Sequence, residues 1–195
     1  MRHRNETEIK LEVRNPRTTK RRLAELGFRT VKTRHFESNY LFDFPDLRLR
    51  KARCLLRVRL VDRHGELTFK GAPLRSQEYK IRREVESAVT DVHQLREILG
   101  CLGLREVFRY EKYRTVYSPA GKHDVSEVPH LVYDETPIGN FVELEGARRW
   151  IDEVAHQLGY ARPDYITASY GTLYWRWCEA RGEKPGSLIF PSQKS

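Results

Sequence analysis

The sequence predicts an α+β fold in which about eight strands roll into a barrel with charges turned inward and helices packed outside. Three observations carry this. Glu6, Glu8 and Lys10 alternate with the less polar Thr7 and Ile9, and because a strand has period two these charges share one face. The spacing recurs: Arg57 and Arg59 flank Val58, Arg82, Glu84 and Glu86 flank Arg83 and Val85, Lys112 and Arg114 flank Tyr113, and Glu143 and Glu145 flank Leu144. One such strand is an ordinary solvent face, whereas the pattern repeated down the chain indicates a sheet closed around its charges. Finally, about three or four amphipathic helical stretches lie between these strands, mostly with short connections.

Residues 5–14 read as the first strand. Pro16 suits the first turn of a helix that carries Leu23, Leu26 and Phe28 as apolar positions and ends near Gly27. Residues 34–43 form an aromatic-rich strand followed by a turn around Pro45 and Asp46. Residues 55–61 and 66–70 pair as a hairpin joined near His64 and Gly65, and 77–87 is the next alternating strand. Thr90 is the expected N-cap of a helix carrying Val92, Leu95, Ile98, Leu99 and Leu102, stopped by Gly100 or Gly103. Residues 104–117 form a long strand, and 130–136 with 141–146 a second hairpin around Pro137, Ile138 and Gly139. Trp150, Ile151, Val154, Ala155 and Leu158 mark a helix ending at Gly159, and 169–181 a last helix. Residues 183–195, with Pro185, Gly186 and Pro191, read as a flexible tail, which leaves 1–182 as a single domain.

A chain of 195 residues with 39% hydrophobic content can bury one core. Its 32% charged residues exceed the usual ~25%, and the formal net charge of +9 favours anionic partners. Cys54, Cys101 and Cys178 form no Cys-x-x-Cys pair and the histidines no His-x-x-x-His, so neither a disulfide framework nor such a zinc site is supported. No apolar run reaches the ~20 residues that span a bilayer, and no secretory pattern is found, so a cytoplasmic protein without a membrane partner is expected.

On the inward face the acids are Glu6, Glu8, Glu84, Glu86, Asp134, Glu143 and Glu145. The bases are Lys10, Arg57, Arg59, Lys70, Arg82, Lys112 and Arg114, and Lys80 shares the parity of Arg82. Matched numbers of acids and bases keep such a lumen near neutral, which matters because unpaired buried charge is costly. Carboxylates suit hard cations such as magnesium, and arginine forks suit phosphate oxygens. A lumen with both is suited to a metal-bound polyphosphate and can neutralise charge on a transferred phosphoryl group.

The Glu6-x-Glu8-x-Lys10 opening resembles the signature of the CYTH superfamily, the triphosphate tunnel metalloenzymes. Later motifs follow that family's order: Leu56-Arg57-Val58-Arg59, Thr68-Phe69-Lys70-Gly71, Arg82-x-Glu84-x-Glu86, Glu111-Lys112-Tyr113-Arg114, then Asp134 and the run from Ile138 to Glu145. The likeness covers about residues 5–180. It implies an eight-stranded antiparallel barrel enclosing a tunnel, with Mg2+ or Mn2+ as cofactor and a triphosphate as ligand. Glu6, Glu8, Glu143 and Glu145 would be metal ligands. Lys10, Arg57, Arg59, Lys70, Arg82, Lys112 and Arg114 would grip phosphate oxygens. Glu84 and Glu86, which would hold a second metal, orient water or position the arginines, are with Lys112 the candidate catalytic residues. Asp134 and Lys80 have no fixed role by this likeness. Ala168 stands where many members carry a basic residue before Ser-Tyr, and the stretch 120–130 is longer or less regular than expected.

The leading expectation is metal-dependent hydrolysis of tripolyphosphate, thiamine triphosphate or ATP. A class IV-like adenylyl cyclase and a nonenzymatic polyphosphate or nucleotide binder are the alternatives, and monomer and homodimer both stay open. Arg48, Arg50, Lys51 and Arg53 read as a solvated loop in preference to a nucleic-acid site. His35, Glu37 and Asn39 read as a polar rim, and Tyr170, Tyr174, Trp175 and Trp177 as helix packing.

Overall fold

The computed structural model describes residues 4–74, 76, 78–119 and 129–191; most of the irregular stretch 120–130, Gln77 and the last four positions of the chain lie outside them. The strands are β1 (Arg4–Glu12), β2 (Phe28–Asp43), β3 (Leu55–Val61), β4 (His64–Lys70), β5 (Lys80–Val89), β6 (Arg105–Pro119), β7 (His130–Thr136) and β8 (Gly139–Glu145). The helices are α1 (Pro16–Glu25), α2 (Arg48–Lys51), α3 (Val92–Cys101), α4 (Arg148–Gln157) and α5 (Tyr170–Glu179). The strands close into a barrel in the order β1-β5-β4-β3-β2-β6-β7-β8, every ladder antiparallel, as the likeness to the CYTH superfamily implies.

The register turns one-dimensional spacing into charge rows. Glu6 lies opposite Arg82 and Glu8 opposite Lys80 on β5, while on the other side of β1 Glu8 meets Glu145 and Lys10 meets Glu143. The alternate residues point outward. Ile9, Leu11 and Leu144 are buried beneath Leu23 of α1 and Ile151, Val154 and Ala155 of α4, and Val92 and Leu99 of α3 cover Tyr40, Phe42 and Val58. Each such side chain removed from water stabilises the fold by roughly 1.5–3 kcal/mol. Phe69 and Val85 also point outward, but they stay exposed, since no helix reaches that part of β4 and β5.

Local chemistry accounts for the helix starts. Asn15 accepts the Thr18 N–H ahead of Pro16, and Ser169 accepts the Thr172 N–H ahead of α5. Asp91, the neighbour of the expected Thr90, caps α3 by accepting from Gln94 N. The β3–β4 hairpin turns at Asp62 and Arg63, two residues before the expected site, because Val61 already pairs with His64. Gly65 serves another purpose: a Cβ there would lie 2.3 Å from Val92 Cγ2, so only glycine lets α3 approach β4.

Three further expectations change. β2 begins at Phe28 because residues 28–32 continue the ladder with the end of β6. Of the basic run, Arg48, Arg50 and Lys51 lie on the short helix α2 and Arg53 just beyond it, and buried Asp43 holds the segment by accepting the N–H groups of Phe44, Leu49 and Arg50. Residues 183–191 are not a loose tail. Leu188 is 1% exposed, donates its N–H to Arg109 O at 2.9 Å and accepts that of Glu111 at 2.8 Å. The proline and glycine signal predicted a break in regular structure, but it carried no information about an apolar residue returning to the free edge of β6.

Candidate functional site

The barrel encloses a cavity of about 450 Å³. Glu6, Glu8, Lys10, Arg57, Arg59, Lys70, Lys80, Arg82, Glu84, Glu86, Lys112, Arg114, Glu143 and Glu145 all line it, so strand parity brings together almost every residue singled out in the sequence. Asp134 is the exception. It is 0% exposed and lies covered beneath the lumen side chains, where it accepts from Lys112 Nζ at 2.9 Å, from both Arg114 Nε and Nη2 at 2.7 Å, and from the Tyr170 hydroxyl at 2.8 Å.

Glu37, expected on a polar rim, is buried at 2% exposure and lies 3.5 Å from Lys112 Nζ and 3.6 Å from Arg59 Nε. Against the cost of burial, Arg59, Lys112 and Arg114 hold its carboxyl well below the usual range. Its inward parity with Asn39 was visible in the sequence, but the Lys112–Glu37 cross-strand pairing was not. Tyr110 and Tyr170 are also wall residues. Tyr170 does pack in the cluster with Phe141 and Leu188, yet its hydroxyl serves Asp134.

The cations fall into two sets. Lys112, Arg114 and Lys10 are anchored: Arg114 reaches Glu143 at 2.7 Å, and Lys10 lies 3.1 Å from Glu143. Lys70 pairs with Glu84, and Lys80 with Glu8. The Arg57 guanidinium is held through Nη2 by Thr68 at 2.8 Å and Glu66 at 3.2 Å, but its buried Nε and that of Arg82 have no hydrogen-bond partner among the described residues. A buried donor left unpaired costs about 1–3 kcal/mol, so these two N–H groups mark where an anion would be received.

The acids divide as well. Although burial opposes it, Lys10, Lys80 and Lys70 hold Glu8 far below the ordinary range, and Lys10, Arg114 and Lys112 do the same for Glu143. Burial, with Glu145 and Glu84 adding repulsion, pushes the Glu6 carboxyl up to about 9. Burial and then Glu8 push Glu145 up to about 7. Crowded oxygen donors of this kind fit a hard divalent cation, which relieves their repulsion. Among the described residues no three His, Cys, Asp or Glu side chains already converge on one point, so ligation would draw these carboxylates together.

Both raised groups stay protonated in the folded, metal-free protein at pH values that ionise them in the unfolded chain, near 4.3. Their contribution to stability is complete below that value and is lost as pH rises through about 7 for Glu145 and about 9 for Glu6. In chelator, Tm should fall between pH 6 and pH 9, and Mg2+ should restore more at pH 9 than at pH 6. Thermal melts of wild type and Glu6→Gln, in which the fall should be shallower, check this. A metal increment independent of pH would sink it.

A model of the CYTH domain family matches residues 4–170. A Methanocaldococcus jannaschii protein provisionally named an adenylate cyclase is 30% identical over 148 residues, 76% of this chain and 80% of that one. A solved Vibrio parahaemolyticus structure, also provisionally named an adenylate cyclase, has a TM-score of 0.74 at 17% identity and covers 88% of this chain and 98% of its own. A Hippeastrum protein, provisionally named an adenylyl cyclase and described as having a dominant triphosphatase activity, has a TM-score of 0.59 at 16% identity, with 92% and 97% covered. At these identities the two structures show likeness of fold. Among the described residues no helix is long and apolar enough to cross a membrane.

Proposed function

The chain belongs to the CYTH domain family, and from that premise we propose that it is a divalent-metal-dependent triphosphatase acting on a triphosphate held in the barrel lumen. The observation that carries this is the pair of unpartnered buried guanidinium nitrogens, on Arg57 and Arg82, facing a carboxylate cluster across one cavity.

Glu6, Glu145 and Glu84, with Glu8 and Glu143 beside them, would hold the metal. When bound, Mg2+ or Mn2+ supplies positive charge to phosphate oxygens and makes bound water more acidic. Arg57, Arg59, Arg82, Arg114, Lys10 and Lys70 bind and orient the phosphate chain, worth most where water is excluded. Lys112, fixed between Glu37 and Asp134, keeps its ammonium pointed at the transferred phosphoryl group. Glu84 and Glu86 orient the attacking water. Thr68 donates to Glu86 at 3.1 Å and Lys70 pairs with Glu84, so both carboxylates are steered by the wall. Nothing in this scheme requires a side-chain nucleophile.

The name of the Methanocaldococcus relative favours a second reading, in which a ribose 3′-oxygen attacks the α-phosphorus and yields cyclic AMP. The activity described for the Hippeastrum protein supports hydrolysis as the leading one. Products decide between them. Tripolyphosphate, thiamine triphosphate and ATP, each with Mg2+ or Mn2+, should release orthophosphate, and Glu8→Gln and Arg59→Ala should abolish the release. Cyclic AMP with equimolar pyrophosphate would establish the cyclase instead, and tight binding without turnover would leave a binding module.

A further inference from the structure

The lumen wall is not uniform. On one side the charges give way to Leu41, Leu55, Tyr110, Ser169, Tyr170 and Gly171. Leu41, Leu55 and Gly171 are partly exposed, so this less charged side opens toward solvent, while Lys10 and Lys112 stand 5.3 and 5.4 Å from the Tyr170 ring. One turn along α5 from Gly171, on the same face by the i, i+4 relation, stands Trp175, 54% exposed.

Facing it is Arg50 of α2, whose guanidinium carbon is 6.0 Å from the indole centroid. Other arginine–ring pairs of the chain are closer, from 3.3 Å for Arg48 and Phe44 and 3.5 Å for Arg34 and Tyr113 to 5.4 Å for Arg148 and Tyr79. The Trp175–Arg50 gap is wider and approaches the roughly 7 Å that a flat ring needs between two partners at about 3.5 Å each. Trp177 differs, since Tyr174 stacks on it and Arg181 lies 4.1 Å from its ring. On the Arg50 side of the gap the backbone is held. Buried Asp43 accepts the Arg50 N–H at 2.9 Å and that of Leu49 at 3.0 Å, fixing α2 before any ligand arrives. The same segment adjoins the lumen, because it joins β2 to β3 between the wall residues Leu41 and Leu55.

Resting on the triphosphate reading above, we propose that Trp175 and Arg50 form the subsite for the organic group of the substrate, and that it takes a flat, uncharged aromatic base, which makes nucleoside triphosphates the substrate class. The phosphate chain lies along the charged wall, and the base leaves past Leu41 and Leu55 to stack between indole and guanidinium. Arg48, Lys51 and Arg53 surround Arg50 with further positive charge. A neutral nucleobase tolerates that field and gains from both faces. The cationic thiazolium ring of thiamine is repelled by it.

Steady-state kinetics with Mg2+ test the assignment in wild type, Trp175→Ala, Trp175→Phe and Arg50→Ala, using ATP, thiamine triphosphate and tripolyphosphate. Trp175→Ala should lower kcat/KM for ATP about tenfold, carried by KM, and leave tripolyphosphate unchanged. Trp175→Phe should retain most of the ATP activity, and Arg50→Ala should narrow the preference for ATP over thiamine triphosphate. Equal losses on ATP and tripolyphosphate, no loss at all, or a wild-type preference for thiamine triphosphate would overturn it. If wild type turns over none of these, the proposed activity fails separately. Calorimetric affinities for a non-hydrolysable ATP analogue and for tripolyphosphate then decide the subsite: a tenfold loss confined to the analogue in Trp175→Ala supports it, and parallel affinities or absent binding sink it.

Discussion

Arg82→Ala is expected to lower kcat/KM for the triphosphate by about 10²–10³, the usual cost of deleting one fixed donor from a site that stabilises developing negative charge, while Tm stays level or rises. Arg82 lines the lumen, lies opposite Glu6 on β1, and has a buried Nε that nothing in the described wall satisfies. Burial lowers its affinity for its proton despite the attraction of Glu8 and Glu84, so the empty barrel bears the cost of a poorly compensated cation. A phosphate oxygen offsets that cost in the bound state, and alanine removes it from the free state. Activity and stability therefore move in opposite directions, as at many functional sites. Arg82→Lys should recover only part of the rate, since a point charge does not reproduce the planar fork. Kinetics and melting on one preparation are the check. An activity loss matched by a large fall in Tm would reassign Arg82 to structure.

Asp134→Ala is expected to destabilise the fold by about 3–5 kcal/mol, the range for removing one partner from a buried ion network. At about 2–4 °C per kcal/mol for a chain of this size, Tm should fall by roughly 6–20 °C. Asp134 is fully buried and accepts from Lys112, twice from Arg114 and from Tyr170. Deleting it leaves two cations and a phenol without their shared acceptor, and only Glu37 and Glu143 remain to compensate. Asp134→Asn keeps an acceptor without the charge and should fall between. Denaturant unfolding measures the loss directly, and a cost under about 1 kcal/mol would show that the neighbouring acids take over its work.

Arg82 and Asp134 mark how far strand parity carries. Both have inward parity, and both are readable from the residues beside them. The sequence also foretold the barrel, the hairpins, Pro16 in the first turn of α1 and the helices that pack outside the sheet. It placed Glu8 and Glu143 among the likeness-implied metal ligands on equal terms with Glu6 and Glu145. In the folded barrel the first two are neutralised by lysine and arginine, while the second two crowd one another. Glu37 went the other way, from an assumed rim to the buried counter-ion of Lys112 and Arg59. Leu188 shows the same limit on a larger scale, since its contact with β6 joins positions far apart in the chain.

The sequence by itself determined which face each strand residue occupies, and with it the closed sheet, the charged character of the lumen and the apolar seams beneath the helices. These follow from a period of two and from the cost of burying charge, both local properties of the chain. Only the tertiary structure decided which charges are spent on one another and which are left for a ligand. It also decided where the wall is less charged and that Trp175 comes to face Arg50. Those outcomes depend on register and closure, which set the neighbours across each ladder, and no spacing along a single strand encodes a neighbour two or three strands away.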